Sequence, residues 1–149
     1  MPESSAGILL HRLGRSEVLL GHMGGPFWSR KDAAAWSIPK GLLLPGEPAA
    51  AAAVREFTEE LGFAPPQGDL EPLGSVTYSS GKTITVFALE GDPDLAAFEP
   101  GVFETQWPPG SGRMQSFPEL DRIAWFGLDE AREKLVKGQR AVLARLAGG

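Results

Sequence analysis

The chain has 149 residues, 42% of them apolar and 22% charged, with a formal net charge of −5 and no cysteine. A single domain spanning residues 1–149 is the expectation at this length, and a cysteine-free chain excludes a disulfide framework, a thiolate nucleophile and a zinc–thiolate site. The acidic balance lacks the basic footprint of a general nucleic-acid binder; with no apolar run of membrane-span length and no signal-peptide pattern at the start, a cytoplasmic protein without membrane contact is expected.

In chain order, Ser5–Leu13 and Glu17–His22 are predicted strands joined by a turn at Gly14–Ser16, because Ile, Leu and Val runs flank Gly, Arg and Ser. The following loop, His22–Ala35, carries Phe27, Trp28, Arg30 and Lys31. Two readings stand for its aromatics: a mobile wall around a nucleotide, or a cover over the core edge. Trp36–Lys40 is extended, since Pro39 biases Ile38 away from helix. A loop from Gly41 to Glu47 then enters a helix with Pro48 near its first turn and Gly62 just past its end. Ala50, Val54, Phe57 and Leu61 recur at helical spacing as its predicted apolar face, while Glu56, Glu59 and Glu60 project elsewhere.

Further on, Leu70–Ser79 and Lys82–Leu89 form a predicted hairpin around Ser80–Gly81, with Ile84, Val86 and Ala88 on one face. Leu95–Phe98 is a candidate helical turn, Glu104–Trp107 and Ile123–Phe126 are candidate strands, and Pro108–Gly112 is a loop. Asp129–Val136 and Gln139–Leu146 are predicted helices broken at Gly138. Strands and helices are thus mixed, without the steady alternation of a doubly wound sheet.

Glu56, Glu59 and Glu60 lie three and four residues apart, so like charges crowd one helix surface. Divalent cations would neutralise such a cluster; a solvated acidic face is the alternative. The alternative does not require Gly41, Glu47, Arg55 and Gly62 at their offsets. Together these residues match G-x5-E-x7-R-E-U-x-E-E-x-G-U, with U a bulky apolar residue, over residues 41–63. Phe57 and Phe63 fill the apolar slots. The pattern resembles the signature of the Nudix hydrolase family at every fixed position.

That resemblance implies an α/β fold, an α/β/α sandwich around a mixed β-sheet, and a hydrolase of phosphoanhydrides using Mg²⁺, with Mn²⁺ as a substitute. Glu56, Glu59, Glu60 and the Gly41 carbonyl would be metal ligands. Arg55 would orient a motif carboxylate, with Arg55, Glu56 and Glu59 in the catalytic set; a surface ion pair is the plain alternative for Arg55. Glu47 would tie down the motif loop.

The flank WSIPKG, Trp36–Gly41, is similar to the lead-in of diadenosine polyphosphate hydrolases and of inositol pyrophosphate enzymes, which would make Lys40 a holder of a distal phosphate. Glu119, six residues before Trp125, echoes the same subgroup and is the candidate general base or extra metal ligand, with Glu56 and Glu104 as competitors. Phe27 or Trp28 would stack on a nucleobase, with Trp107 as competitor. Residues 101–118 match no known base-recognition pattern. The expected function is Mg²⁺-dependent cleavage of a nucleoside diphosphate derivative, a dinucleoside polyphosphate such as diadenosine tetraphosphate first among them. An inositol pyrophosphate hydrolase and a catalytically silent nucleotide-binding domain are the alternatives. The expected partner is a small pyrophosphate, and a homodimer is left open.

Overall fold

A computed structural model describes residues 3–148. Among them, seven strands form one mixed sheet and two more form a separate ribbon. The first hairpin is β1 (Ser4–Arg12) and β2 (Glu17–Met23), but the two strands pair only at its tip, His11 with Val18 and Arg12 with Glu17. Beyond that point the sheet opens. β3 (Trp36–Ser37) pairs with β2, and β4 (Lys40–Leu42) pairs with β1, so the chain crosses from one strand to the other at Ile38–Pro39. Proline has no N–H to donate to a ladder, which suits it to the crossing.

The predicted second hairpin is present as β5 (Glu71–Thr77) and β6 (Thr83–Glu90). β6 runs parallel to β1 along its whole length, from Ser4 opposite Thr83 to His11 opposite Glu90. β7 (Val102–Gln106) and β8 (Met114–Pro118) make the ribbon, and β9 (Leu120–Gly127) pairs antiparallel with β2. A 3₁₀ turn occupies Leu95–Ala97, as the predicted helical turn anticipated.

Helix α1 (Ala49–Leu61) packs on one face of the sheet; α2 (Leu128–Lys134) and α3 (Ala141–Gly148) cover the other. A 3₁₀ turn, Lys137–Gln139, joins the last two helices and contains the predicted break at Gly138. The arrangement is an α/β/α sandwich. β1 and β2 have apolar side chains on both faces: Leu9, Val18 and Leu20 point to the α2–α3 side, while Ile8, Leu10 and Leu19 point to α1. That is why these strands read as continuous apolar runs instead of alternating ones. On β6 the expected face holds, with Ile84, Val86 and Ala88 buried.

Helix α1 ends as predicted, with Gly62 in the left-handed region at φ 80°. Its buried face differs from the expected one. Ala52, Ala53, Phe57 and Leu61 are buried, whereas Val54 is exposed and Ala50 only partly covered. Five consecutive alanines carry no periodic contrast, so packing chose the face. Among the described residues no helix is long and apolar enough to cross a membrane.

Candidate active site

The crossing segment delivers Lys40 and Gly41 beside the acidic face of α1. Gly41 pairs with Ala6 on β1, and a Cβ at Gly41 would fall on the Glu56 carboxylate. Only glycine lets that carboxylate lie against the strand. The Lys40 N–H points to Glu60 Oε2 at 3.4 Å. The Glu60 carboxyl is strongly desolvated. Burial raises its pKa to about 8, opposed by Lys40 and reinforced by Glu119 and Glu56.

Arg55 is the hub of the motif loop. Its Nε and Nη2 donate to the two oxygens of Glu47 at 2.9 and 2.8 Å, and Nη2 also donates to the Leu42 carbonyl at 2.9 Å. Nη1 donates to Glu56 Oε1 at 2.8 Å and makes longer contacts of 3.4 Å with Glu59. Glu47 in turn accepts from the Leu44 N–H at 3.0 Å, closing the loop on itself. The Arg55 guanidinium, and then the Leu44 N–H, hold the Glu47 carboxyl down at about 2. This clamp is therefore fully formed above pH 4.5 and is lost only as the pH falls through about 2. Arg55→Lys keeps the charge but cannot reproduce a two-pronged grip. Amide exchange at Leu44 is expected to become several-fold faster in that variant, and unchanged protection would show that the fork does not hold the loop.

Glu56, Glu59, Glu60, Lys40 and Glu119 line one cavity of about 620 Å³. Glu119 reaches it from the junction of β8 and β9, where its N–H donates to the Gly101 carbonyl at 2.8 Å and its own carbonyl accepts from Gly24 at 3.0 Å. The backbone is thus pinned on both sides. The Glu119 carboxyl makes no side-chain hydrogen bond among the described residues, and burial, then the nearby Glu56, raises its pKa.

The cavity is also lined by residues that motif reasoning missed: Tyr78, Ser80 and Lys82 from the β5–β6 turn, Thr83 at the start of β6, and Val102 from β7. Their only trace in the sequence was a hairpin turn with a tyrosine and a lysine at its shoulders. Two expected site residues stand elsewhere. Phe27 and Trp28 pack edge to face at 5.1 Å and line none of this cavity. Trp28 packs against the core beneath α2 and α3, while Phe27 is exposed with the Lys31 ammonium 3.6 Å above its ring. Trp28 thus covers part of the core edge. The competitors Glu104 and Trp107, on and just past β7, also lie outside the cavity. Arg12 and Arg15 are engaged by Glu17, Asp92 and Glu71, away from it.

Among the described residues no group of three His, Asp or Glu side chains stands converged as a finished metal centre. The donor set nevertheless suits a hard divalent cation: three motif carboxylates and Glu119 line the same cavity as Lys40 and Lys82, with Arg55 bound to Glu56 and Glu59.

The family model for the NUDIX domain matches residues 1–146. An RNA pyrophosphohydrolase of Legionella pneumophila (strain Corby) is 41% identical over 66 residues, 44% of this chain and 37% of that protein, so the match spans little more than a third of the relative's length. Among solved structures, a Caenorhabditis elegans (C. elegans) Ap4A hydrolase binary complex is similar with a TM-score of 0.67 and 20% identity, covering 97% of this chain and 96% of that one. The MutT protein from Methanosarcina mazei Go1 is similar with a TM-score of 0.61 and 21% identity, over 99% and 94% of the two chains. These likenesses establish a shared fold.

Proposed function

The chain belongs to the NUDIX domain family, and from that premise we propose that it is a Mg²⁺-dependent pyrophosphohydrolase whose preferred substrate is a dinucleoside polyphosphate such as diadenosine tetraphosphate. The observation that carries this reading is one cavity that joins Lys40, in WSIPKG, to Glu56, Glu59, Glu60 and Glu119, and to Tyr78 and Lys82. Its volume lies in the range of small-molecule sites.

Glu56, Glu59, Glu60 and the Gly41 carbonyl would hold the cation, with Mn²⁺ able to replace Mg²⁺. When bound, the ion neutralises phosphate charge and lowers the pKa of an attacking water. The protein's own residues do the rest. Lys40 and Lys82 hold phosphate oxygens as point charges, and Arg55 fixes the Glu56 carboxylate. Glu119 accepts the proton from water, because its carboxyl makes no hydrogen bond among the described residues and partial desolvation, then the nearby Glu56, raises its affinity for a proton. Residues 1–149 act as one domain in the cytoplasm, on a small molecule and not on a membrane.

Five glutamates and two lysines line the cavity, Glu3 among the former and Lys40 and Lys82 the latter. That balance disfavours an inositol pyrophosphate, which would call for a strongly basic wall. The match to an RNA pyrophosphohydrolase favours a second reading, a 5′-polyphosphorylated RNA end as substrate. A panel of dinucleoside polyphosphates, nucleoside triphosphates and a 5′-triphosphorylated oligonucleotide, assayed with Mg²⁺, separates the two. Diadenosine tetraphosphate should give the highest kcat/KM and split to ATP and AMP, and Lys40→Ala should raise its KM more than it lowers kcat. Preference for the oligonucleotide would transfer the assignment to the second reading, and no preference over simple triphosphates would defeat the first.

A further inference from the structure

Gln139 has no catalytic chemistry of its own, yet it is fully buried, with both amide donors and its carbonyl oxygen hydrogen-bonded. Its Oε1 accepts from the Ile38 N–H at 2.8 Å. Its Nε2 donates to Ser37 Oγ and to the Tyr78 hydroxyl oxygen, both at 2.9 Å. The Ile38 N–H fixes the amide's orientation, since only the oxygen end can accept from it. Ile38 lies at the crossing between β3 and β4, where the chain has left one ladder and not yet joined the next. Gln139 supplies the missing acceptor there and uses its two remaining donors on neighbours of the site.

The preceding residue serves the same side chain. A Cβ at Gly138 would overlap the Tyr78 ring, so the glycine backbone forms the seat on which the ring lies. Tyr78 borders two cavities, the proposed substrate cavity and a second of about 300 Å³ whose lining includes Met23, Ser37, Lys40, Val136 and Gln139. Its hydroxyl oxygen accepts from Gln139, and its own O–H proton meets no acceptor among the described residues. That proton is left for a ligand, in a direction set by the buried amide.

We propose that Gly138 and Gln139 are positioning residues, which seat the Tyr78 ring and aim its hydroxyl at substrate on the boundary of the two cavities. The same amide ties this aim to the segment that leads into Lys40 and Gly41, so two parts of the cavity lining are linked through one buried side chain. The effect on catalysis rests on the reading of the larger cavity as the substrate site; the positioning of Tyr78 does not.

The experiment exploits the fact that the chain contains a single tyrosine. Incorporation of 3-fluorotyrosine labels Tyr78 alone, and its ¹⁹F signal reads the ring without substrate. Gln139→Met, similar in length but without the amide, should shift and broaden that signal. Gly138→Ala should shift it as well. With the best substrate of the panel, Gln139→Met and Tyr78→Phe should each raise KM about three- to tenfold, the scale of one lost hydrogen bond. The double variant should be no worse than the more affected single one, because both remove the same contact. A ¹⁹F signal unchanged in Gln139→Met overturns the proposal, as do fully multiplicative KM effects. Should Gln139→Met not fold, Tyr78→Phe tests the bond from its other end: the Gln139 side-chain amide protons should shift, and their invariance overturns the proposal. If no substrate of the panel is cleaved, the functional reading fails while both spectroscopic tests still decide the positioning.

Discussion

Glu60→Gln should remove activity by orders of magnitude and, in the same protein freed of metal, raise the melting temperature clearly at pH 8 and only slightly at pH 5. The activity loss follows from the proposed role of Glu60 in holding a cation against the phosphates. The stability gain follows from its surroundings. Burial first, then the charges of Glu119 and Glu56, raise this carboxyl from its ordinary 4.5 to about 8. Between those values the folded chain retains a proton that the unfolded chain has released, so stability falls as pH rises through the window and the full penalty is present above pH 8. At about 1.4 kcal/mol per pKa unit, the penalty reaches a few kcal/mol, a shift of several degrees for a domain of this size. Glutamine carries no charge to desolvate and escapes it. For the wild type, Mg²⁺ should stabilise more at pH 8 than at pH 5, because binding requires the ionised form. The measurement is a set of thermal melts in chelator at the two pH values. Equal melting of variant and wild type at pH 8 would mean that Glu60 is not held in a desolvated state.

Glu119→Gln is expected to lower kcat at saturating Mg²⁺ by about 10²–10⁴-fold, the usual contribution of a general base. Its carboxyl shares the cavity with the motif glutamates while its backbone is pinned by Gly101 and Gly24. Glu56, the competing base, already accepts from Arg55 at 2.8 Å and lies against Gly41. A group so engaged is placed to hold a cation more than to take up a proton. The acidic limb of the pH–kcat profile should therefore disappear in Glu119→Gln and persist, at lower amplitude, in Glu56→Gln. A Glu119→Gln enzyme with wild-type kcat would return the role to the helix.

The helix with Glu56, Glu59 and Glu60, its stop at Gly62, and the two hairpins were all legible from the sequence because each is a local property. Spacing along a helix, a left-handed glycine and a turn between two apolar runs are decided within a few residues. The motif offsets likewise marked out Gly41, Glu47 and Arg55, and the bonds of Arg55 to Glu47 and Leu42 lie within a short stretch of chain. The remainder depended on which distant segments meet. Nothing in Ala49–Ala53 distinguishes one helix face from another, and only packing against β1 buried Ala52 and Ala53 in place of Ala50 and Val54. The parallel union of β1 with β6 fixes where the β5–β6 turn lies, and so brings Tyr78 and Lys82 to the cavity of the motif. The pairing of β9 with β2, more than ninety residues apart, carries Glu119 to the same cavity and leaves Phe27 and Trp28 outside it. Such pairings are chosen by burial on both faces of the sheet at once, a condition that the whole fold satisfies and no window of sequence contains.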